Sequence, residues 1–237
     1  MQIFTTYCWE KGLKTEKNQD SLAICQMVVK RKRCLLAVVC DGIGSFKDSE
    51  KASGYVTEQM IGWFYRAGPK LFGTYKTAKT ILNMGKKELY KIHGQLKKYS
   101  MKNDGLNLGC TLSMLLVIGR IYYIWNVGDS RIYLGRRKNI YALTKDDLLR
   151  GMITRCIGSF SWKNTFSCHG KIRRKDTFLV CSDGFYRRIS EQNLRELLAV
   201  KRIRSECQAK RCLQEIEKRN RARGEKDDST AVFIQFM

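Results

Sequence analysis

Short apolar runs dominate the beginning of the chain. Gln2 to Trp9, Ser21 to Val29 and Cys34 to Cys40 are rich in branched and aromatic side chains, and each predicts a strand. Lys30 to Arg33, a run of cations between two of them, fits a charged hairpin turn. The period then changes. Ala52, Val56, Met60 and Phe64 recur at every fourth position, so Ser49 to Tyr65 reads as a helix that buries one face. Thr77 to Tyr99 reads as a second, basic helix. Strand-like runs return at Thr111 to Ile118, Ile121 to Val127 and Arg131 to Leu134, the first two joined by a turn at Gly119-Arg120. Asn164 to Ile172 and Thr177 to Cys181 add two more. Glu191 to Val200 and Ser205 to Asn220 look helical, and Thr230 to Phe236 closes the chain as a strand.

Strands, two helices, strands, helices and a strand follow one another. Two sheets packed face to face, with helix pairs outside, bury all of these apolar faces, which is an α+β sandwich of mainly antiparallel sheets. Pro69 is the sole proline, and no Pro-rich linker, low-complexity tract or repeat divides the chain, so residues 1–237 read as a single domain. A hydrophobic fraction of 43% against 28% charged residues suits a packed core and excludes global disorder.

Charge alters this picture less than its size suggests. Lys+Arg 45 against Asp+Glu 22 gives +23, a field that attracts polyanions. The cations are scattered and no nucleic-acid-binding motif accompanies them, so nucleic acid is not expected as a partner. The ten cysteines include no C-x-x-C pair, and Cys25, Cys34, Cys40 and Cys181 sit inside apolar runs, where a free thiol behaves as a small hydrophobe. The N-terminus lacks the plan of a signal peptide and no apolar run is long enough to span a bilayer. A cytoplasmic protein with no membrane partner is expected. His93 and His169 are the only histidines, which excludes a histidine-rich metal site.

The candidate chemistry lies where strand runs stop. Val38-Val39-Cys40 runs into Asp41-Gly42, Trp125-Asn126-Val127 into Gly128-Asp129, and Cys181-Ser182 into Asp183-Gly184. Asp227-Asp228 precedes the last strand, and Asn18-Gln19-Asp20 precedes the second. One Asp-Gly after a strand is most simply a turn. Five such aspartates gathered at one edge would repel at a cost of several kcal/mol, which bound Mg²⁺ or Mn²⁺ removes because hard cations prefer oxygen ligands. Two ions bridged by one carboxylate lower the pKa of a water held between them and neutralise a phosphate. Gly42 lets its own backbone carbonyl approach an ion closely. Asp129 has a second reading of equal weight, as the cap of the turn before Ser130 with Arg131 as an ion-pair partner.

In chain order, NQDS (18–21), DGIGSFKDSEKAS (41–53), GCTL (109–112), NVGDSRIY (126–133), LTKDD (143–147), ITRCIG (153–158), CSDGF (181–185) and GEKDDST (224–230) resemble the motifs of the type-2C, metal-dependent protein phosphatases, nearly end to end. The resemblance implies a four-layer α-β-β-α sandwich, two Mn²⁺ or Mg²⁺ ions with a weaker third, and hydrolysis of phosphoserine or phosphothreonine by a water between the ions. Carried over by position, Asp41 is the bridging ligand and Gly42 the carbonyl ligand of one metal. Asp183 and Asp227 are ligands of the other, and Asp20 orients water. Asp129 joins Asp183 at the third ion, and Asp228 supports the ligands. The implied partners are phosphorylated proteins, the products of a serine/threonine kinase, and the expected state is a monomer.

Three departures stand out. Thr15 occupies the place where the family often carries a phosphate-gripping arginine. Lys14 or Lys17 is the expected substitute, although a lysine lacks the planar bidentate fork. Ile43 stands where some members carry a histidine. The segment between Asp147 and Ile153, a longer mobile flap in most bacterial-type members, is compressed to a few residues. The competing reading is a catalytically weak phosphopeptide-binding regulatory module on the same fold.

Overall fold

The computed structural model describes residues 2–46, 48–72, 76–103, 108–159, 164–198, 203 and 205–237. One sheet is built from β2 (Asp20–Val29), β3 (Lys32–Asp41), β4 (Leu112–Ile118), β5 (Ile121–Val127) and β10 (Phe166–Lys171), in the order β10-β5-β4-β3-β2. The other holds β1 (Ile3–Glu10), β6 (Arg131–Arg136), β7 (Asn139–Ala142), β11 (Thr177–Cys181) and β12 (Ser229–Phe236), in the order β1-β12-β11-β6-β7. Every pairing within the two sheets is antiparallel. A two-stranded hairpin, β8 (Leu148–Leu149) and β9 (Met152–Ile153), stands apart from both.

The alternation of β3 shows how the layers arise. Cys34 to Cys40 are wholly buried. Cys34, Leu36, Val38 and Cys40 pack toward α1 (Ser49–Leu71) and α2 (Ala78–Lys102), against Val56, Phe64, Leu89 and Ile92. Leu35, Ala37 and Val39 point the other way, into Val180, Val232 and Ile234 of the second sheet. A strand covered on both faces must read as a continuous apolar run, as this one does. On the far side of the second sheet, Leu179, Ala231 and Phe233 meet Leu197 and Leu198 of α4 (Glu191–Leu198) and Leu213 and Ile216 of α5 (Glu206–Ala222). The result is a helix layer, two sheets and a second helix layer, as expected from the sequence.

Local chemistry explains several boundaries. The β2–β3 hairpin turns on Lys30 and Arg31, both at positive φ (46° and 65°), as a two-residue turn compatible with strand twist requires. Ser205 caps α5 by accepting from the Gln208 N–H at 3.2 Å, and Thr77 caps α2 by accepting from Thr80 at the same distance. α1 runs past the expected end at Tyr65 to Leu71, through Pro69. A proline so near the end removes little helical bonding, and the Phe72 N–H still reaches Gly68 O at 2.9 Å. The last two residues expected in α4, Val200 and the one before it, lie outside the described residues. Trp125 of β5 packs against Gly85 of α2 and donates from Nε1 to Leu82 O at 3.0 Å, fixing the helix layer on the sheet.

None of the ten cysteines is in a disulfide, and most are buried. Burial pushes the Cys181 thiol well up, which suits a core residue and not a nucleophile. Cys168 and His169, adjacent in β10, are occupied structurally: the thiol lies 3.8 Å from Leu143 O and the imidazole stacks on Tyr123. Among the described residues no helix is long and apolar enough to cross a membrane.

Candidate active site

Antiparallel pairing in both sheets brings particular strand ends to one edge. Asp20 opens β2 and Asp41 ends β3, and the register sets the two directly opposite each other. Like charges across a strand pair are unfavourable, and here burial makes them more so. Asp20 is 2% exposed, and neither of its carboxylate oxygens has a hydrogen-bond partner. Burial above all drives its pKa upward; the nearby Thr230 and Ser182 hydroxyls oppose that rise, and the carboxylates of Asp228 and Asp227 add to it. Asp41 is pushed well up by burial and then by Asp20, Asp129 and Asp227. Asp41 therefore lies among acids drawn from three other places in the chain.

The backbone around this centre is tightly tied. Asp41 N donates to Thr111 Oγ1 at 3.1 Å, Thr111 N returns a bond to Asp41 O at 2.7 Å, and Thr111 Oγ1 shares a proton with Ser130 Oγ at 2.7 Å. These contacts lock the ends of β3 and β4 to the Gly128–Ser130 turn. Gly42 N donates to Gln19 O at 3.1 Å, and a side chain at Gly42 would stand 2.7 Å from that oxygen and 2.9 Å from Ser49 O. Only glycine fits there. The Asn18–Asp20 segment is held in turn by Ser53 Oγ, which donates to Gln19 O at 2.6 Å, and by Trp9 Nε1, which donates to Asp20 O at 2.9 Å.

Asp183 begins α3 (Asp183–Tyr186), a single helical turn that the apolar periodicity does not reveal. Ser182 and Thr230 bond each other, Thr230 N donating to Ser182 Oγ at 3.0 Å, so they staple the two acidic loops together. Asp228 is fully employed as a strut: its Oδ1 accepts from Gly12 N at 2.6 Å and its Oδ2 from Gln19 N at 2.7 Å. Asp227, its neighbour, presents Oδ2 to Lys14 Nζ at 2.5 Å. Asp129 is 7% exposed and its Oδ1 has no partner. Burial is the main reason its pKa is raised. Arg131, expected as its ion-pair partner, instead grips Asp146 with Nε to Oδ1 at 3.0 Å and Nη2 to Oδ2 at 2.6 Å, and lies over the Tyr186 ring. The Tyr186 hydroxyl donates to Asp129 O at 3.0 Å, so Asp129 is positioned through its backbone.

A cleft of about 330 Å³ opens at this edge, lined by Lys14, Thr15, Asp41, Gly42, Ile43, Ile153, Asp183 and Asp227, among others. The structure thus gathers Asp41, Gly42, Asp183, Asp227 and Lys14 on one cavity, with Asp20 buried behind Asp41. Lys17 lies elsewhere: its ammonium is 3.3 Å from Glu50 and its side chain is 73% exposed. Ile153 belongs to β9, so the compressed segment is a small hairpin whose edge touches the cleft. A residue missed in the sequence is Arg187, whose Nη2 donates to Asp183 Oδ2 and whose Nη1 lies 3.4 Å from Asp227 Oδ2. The i,i+4 spacing from Asp183 was the available signal.

Among the described residues no three acidic, cysteine or histidine side chains are drawn into a closed metal shell. Lys14 and Arg187 hold the carboxylates of Asp227 and Asp183. The donor set still fits divalent cations: it is all oxygen, and it includes buried carboxylate oxygens of Asp20 and Asp129 left without any partner.

The family model for protein phosphatase 2C matches residues 13–223. The chain belongs to the protein phosphatase 2C family. It is accordingly a protein serine/threonine phosphatase. The serine/threonine phosphatase stp of Listeria welshimeri is 26% identical across 72% of this chain and 74% of the relative, and the enzyme of the same name from Listeria innocua is 24% identical across 83% of each. Among solved structures, the Staphylococcus aureus serine/threonine phosphatase Stp1 superposes with a TM-score of 0.83 at 22% identity, covering 100% of this chain and 96% of that one. The catalytic domain of the serine threonine protein phosphatase PstP, solved in complex with two manganese ions, gives 0.76 at 20% identity over 98% and 97% of the two chains. At these identities the superpositions establish the fold of this phosphatase 2C member: the α-β-β-α sandwich.

Proposed function

We propose that this phosphatase 2C chain hydrolyses phosphoserine and phosphothreonine in proteins with two divalent cations, Mn²⁺ or Mg²⁺, held at the edge where Asp41 lies. Asp41 and the Gly42 carbonyl would hold one, Asp41, Asp183 and Asp227 the other, and Asp129 with Asp183 would hold a weaker third. The observation that carries this reading is Asp20 set opposite Asp41: both carboxylate oxygens of Asp20 are buried without a hydrogen-bond partner beside a second carboxylate, an arrangement that costs several kcal/mol unless cations occupy it. When bound, the cations supply a water of lowered pKa and neutralise the phosphate. The protein's own contribution is placement. Asp20, buried behind Asp41, would orient the water that the cations hold. Lys14 Nζ, on the cleft wall, draws the phosphate in.

Purified protein is expected to release phosphate from a phosphothreonine peptide in Mn²⁺ or Mg²⁺ and to stop in EDTA. Folded protein that releases none in either ion would sink the hydrolase reading and leave a phosphopeptide-binding module.

The two lysines are separable. Lys14→Ala is expected to raise KM for the peptide about three- to fivefold, the modest effect of a half-exposed charge. Lys17→Ala, whose partner is Glu50, should change KM less than about twofold. Steady-state kinetics at saturating Mn²⁺ checks both, and equal effects would refute the assignment of Lys14.

A further inference from the structure

Arg187 is the C-cap of α3, four residues after Asp183, so one helical turn returns its side chain over that carboxylate. Its guanidinium touches Asp183 Oδ2, lies 3.4 Å from Asp227 Oδ2 and 3.8 Å from Glu225 Oε1. Lys14 Nζ reaches the same Asp227 oxygen from the other side of the chain, at 2.5 Å. Two cations from segments far apart in sequence thus converge on one oxygen. Neither is locked by burial: the side chains of Arg187 and Lys14 are 44% and 51% exposed. The carboxylates they hold are two of the three assigned above to one divalent cation. Thr15, on the same cleft wall, carries no charge.

A carboxylate taken by a divalent cation gives up most of its attraction for a guanidinium, because the net charge it presents falls toward zero. The released guanidinium stays tethered by one short turn of helix beside Asp183 and Asp227, which line the cleft. The group that then brings negative charge to this cleft is the substrate's phosphate, and a planar fork of N–H donors matches its oxygens as an ammonium does not.

We propose that Arg187 is an exchangeable cation: it balances Asp183 and Asp227 in the metal-free protein and binds the substrate phosphate once divalent cations hold those carboxylates. The phosphate half of this exchange rests on the hydrolase reading above, and the metal half does not. It gives Arg187 the phosphate-binding role that uncharged Thr15 cannot fill.

The test uses the whole chain and its Arg187→Ala and Arg187→Lys variants. Metal-free protein is titrated with Mn²⁺ by calorimetry, and kcat and KM are then measured with a phosphothreonine peptide at saturating Mn²⁺. Loss of the competing guanidinium should tighten Mn²⁺ binding by Arg187→Ala about fivefold, while KM rises roughly tenfold and kcat falls less. Arg187→Lys should lie between, keeping a charge without the fork. Thermal melting of each variant verifies that it folds. Unchanged or weakened Mn²⁺ binding in Arg187→Ala overturns the proposal, and so does an unchanged KM. A wild-type chain without metal-dependent turnover defeats the hydrolase reading instead, and the calorimetric comparison still decides whether Arg187 competes for the carboxylates.

Discussion

Asp41→Asn is expected to lower kcat/KM for a phosphothreonine peptide by at least about a thousandfold while raising the melting temperature of the metal-free protein. The two effects have one cause. Asp41 lies opposite Asp20 and is surrounded by Asp129 and Asp227, and the burial of that charge disfavours its ionised form. An amide of nearly the same shape removes the charge and its repulsion, which should stabilise the metal-free fold by about 1 to 2 kcal/mol. The same change removes the one ligand assigned to both cations, since an amide oxygen is a far weaker donor to a hard divalent ion than a carboxylate. A variant that is more stable and inactive separates loss of chemistry from loss of folding. Denaturant unfolding in EDTA, beside turnover in Mn²⁺, reads both, and a variant that is both inactive and less stable would contradict the electrostatic account.

The second large effect concerns the scaffold. Arg136→Ala is expected to destabilise the protein by about 3 kcal/mol, seen as a lower urea midpoint with an unchanged slope. Arg136 donates from Nε to Asp176 Oδ1 at 2.9 Å and from Nη2 to Asp176 Oδ2 at 2.6 Å, and from Nη2 to Lys171 O at 2.8 Å. Asp176 is 1% exposed and also accepts from the Arg173 N–H at 2.8 Å, closing the turn between β10 and β11. Removing the guanidinium leaves a buried carboxylate with its main partner gone, which costs more than the pair itself contributes. The turn links one sheet to the other. An effect below about 1 kcal/mol would show that Asp176 finds water or another cation instead.

What the sequence revealed, and what it hid, follows from the range of the interactions. β3 was legible because both of its faces are covered, so every residue from Cys34 to Cys40 is apolar and the run stops abruptly at Asp41. β5 and β11 match their expected limits for the same reason. β7 and the β8–β9 hairpin were not foreseen: they are short, largely exposed, and carry no period that a buried face would impose. α3 is too short to show a helical pattern, and Arg187 went unseen with it. The Arg136–Asp176 pair joins residues 40 apart, and its existence depends on the register between β6 and β11, which composition cannot supply. Arg131 was visible as half of an ion pair, but its partner proved to be Asp146, because the Asp129 carboxylate is turned into the buried edge. The candidate aspartates could be placed at strand ends from the sequence, whereas the cations that balance them required the fold.

The most direct test of the central claim, that aspartates from separate strand ends form one divalent-cation cage, is to count the Mn²⁺ ions bound by the wild-type chain and by Asp41→Asn, each from a metal-free start. The account predicts two tightly bound ions in the wild type and loss of tight binding at both positions in the variant. Two ions still held tightly by Asp41→Asn, with turnover to match, would contradict it.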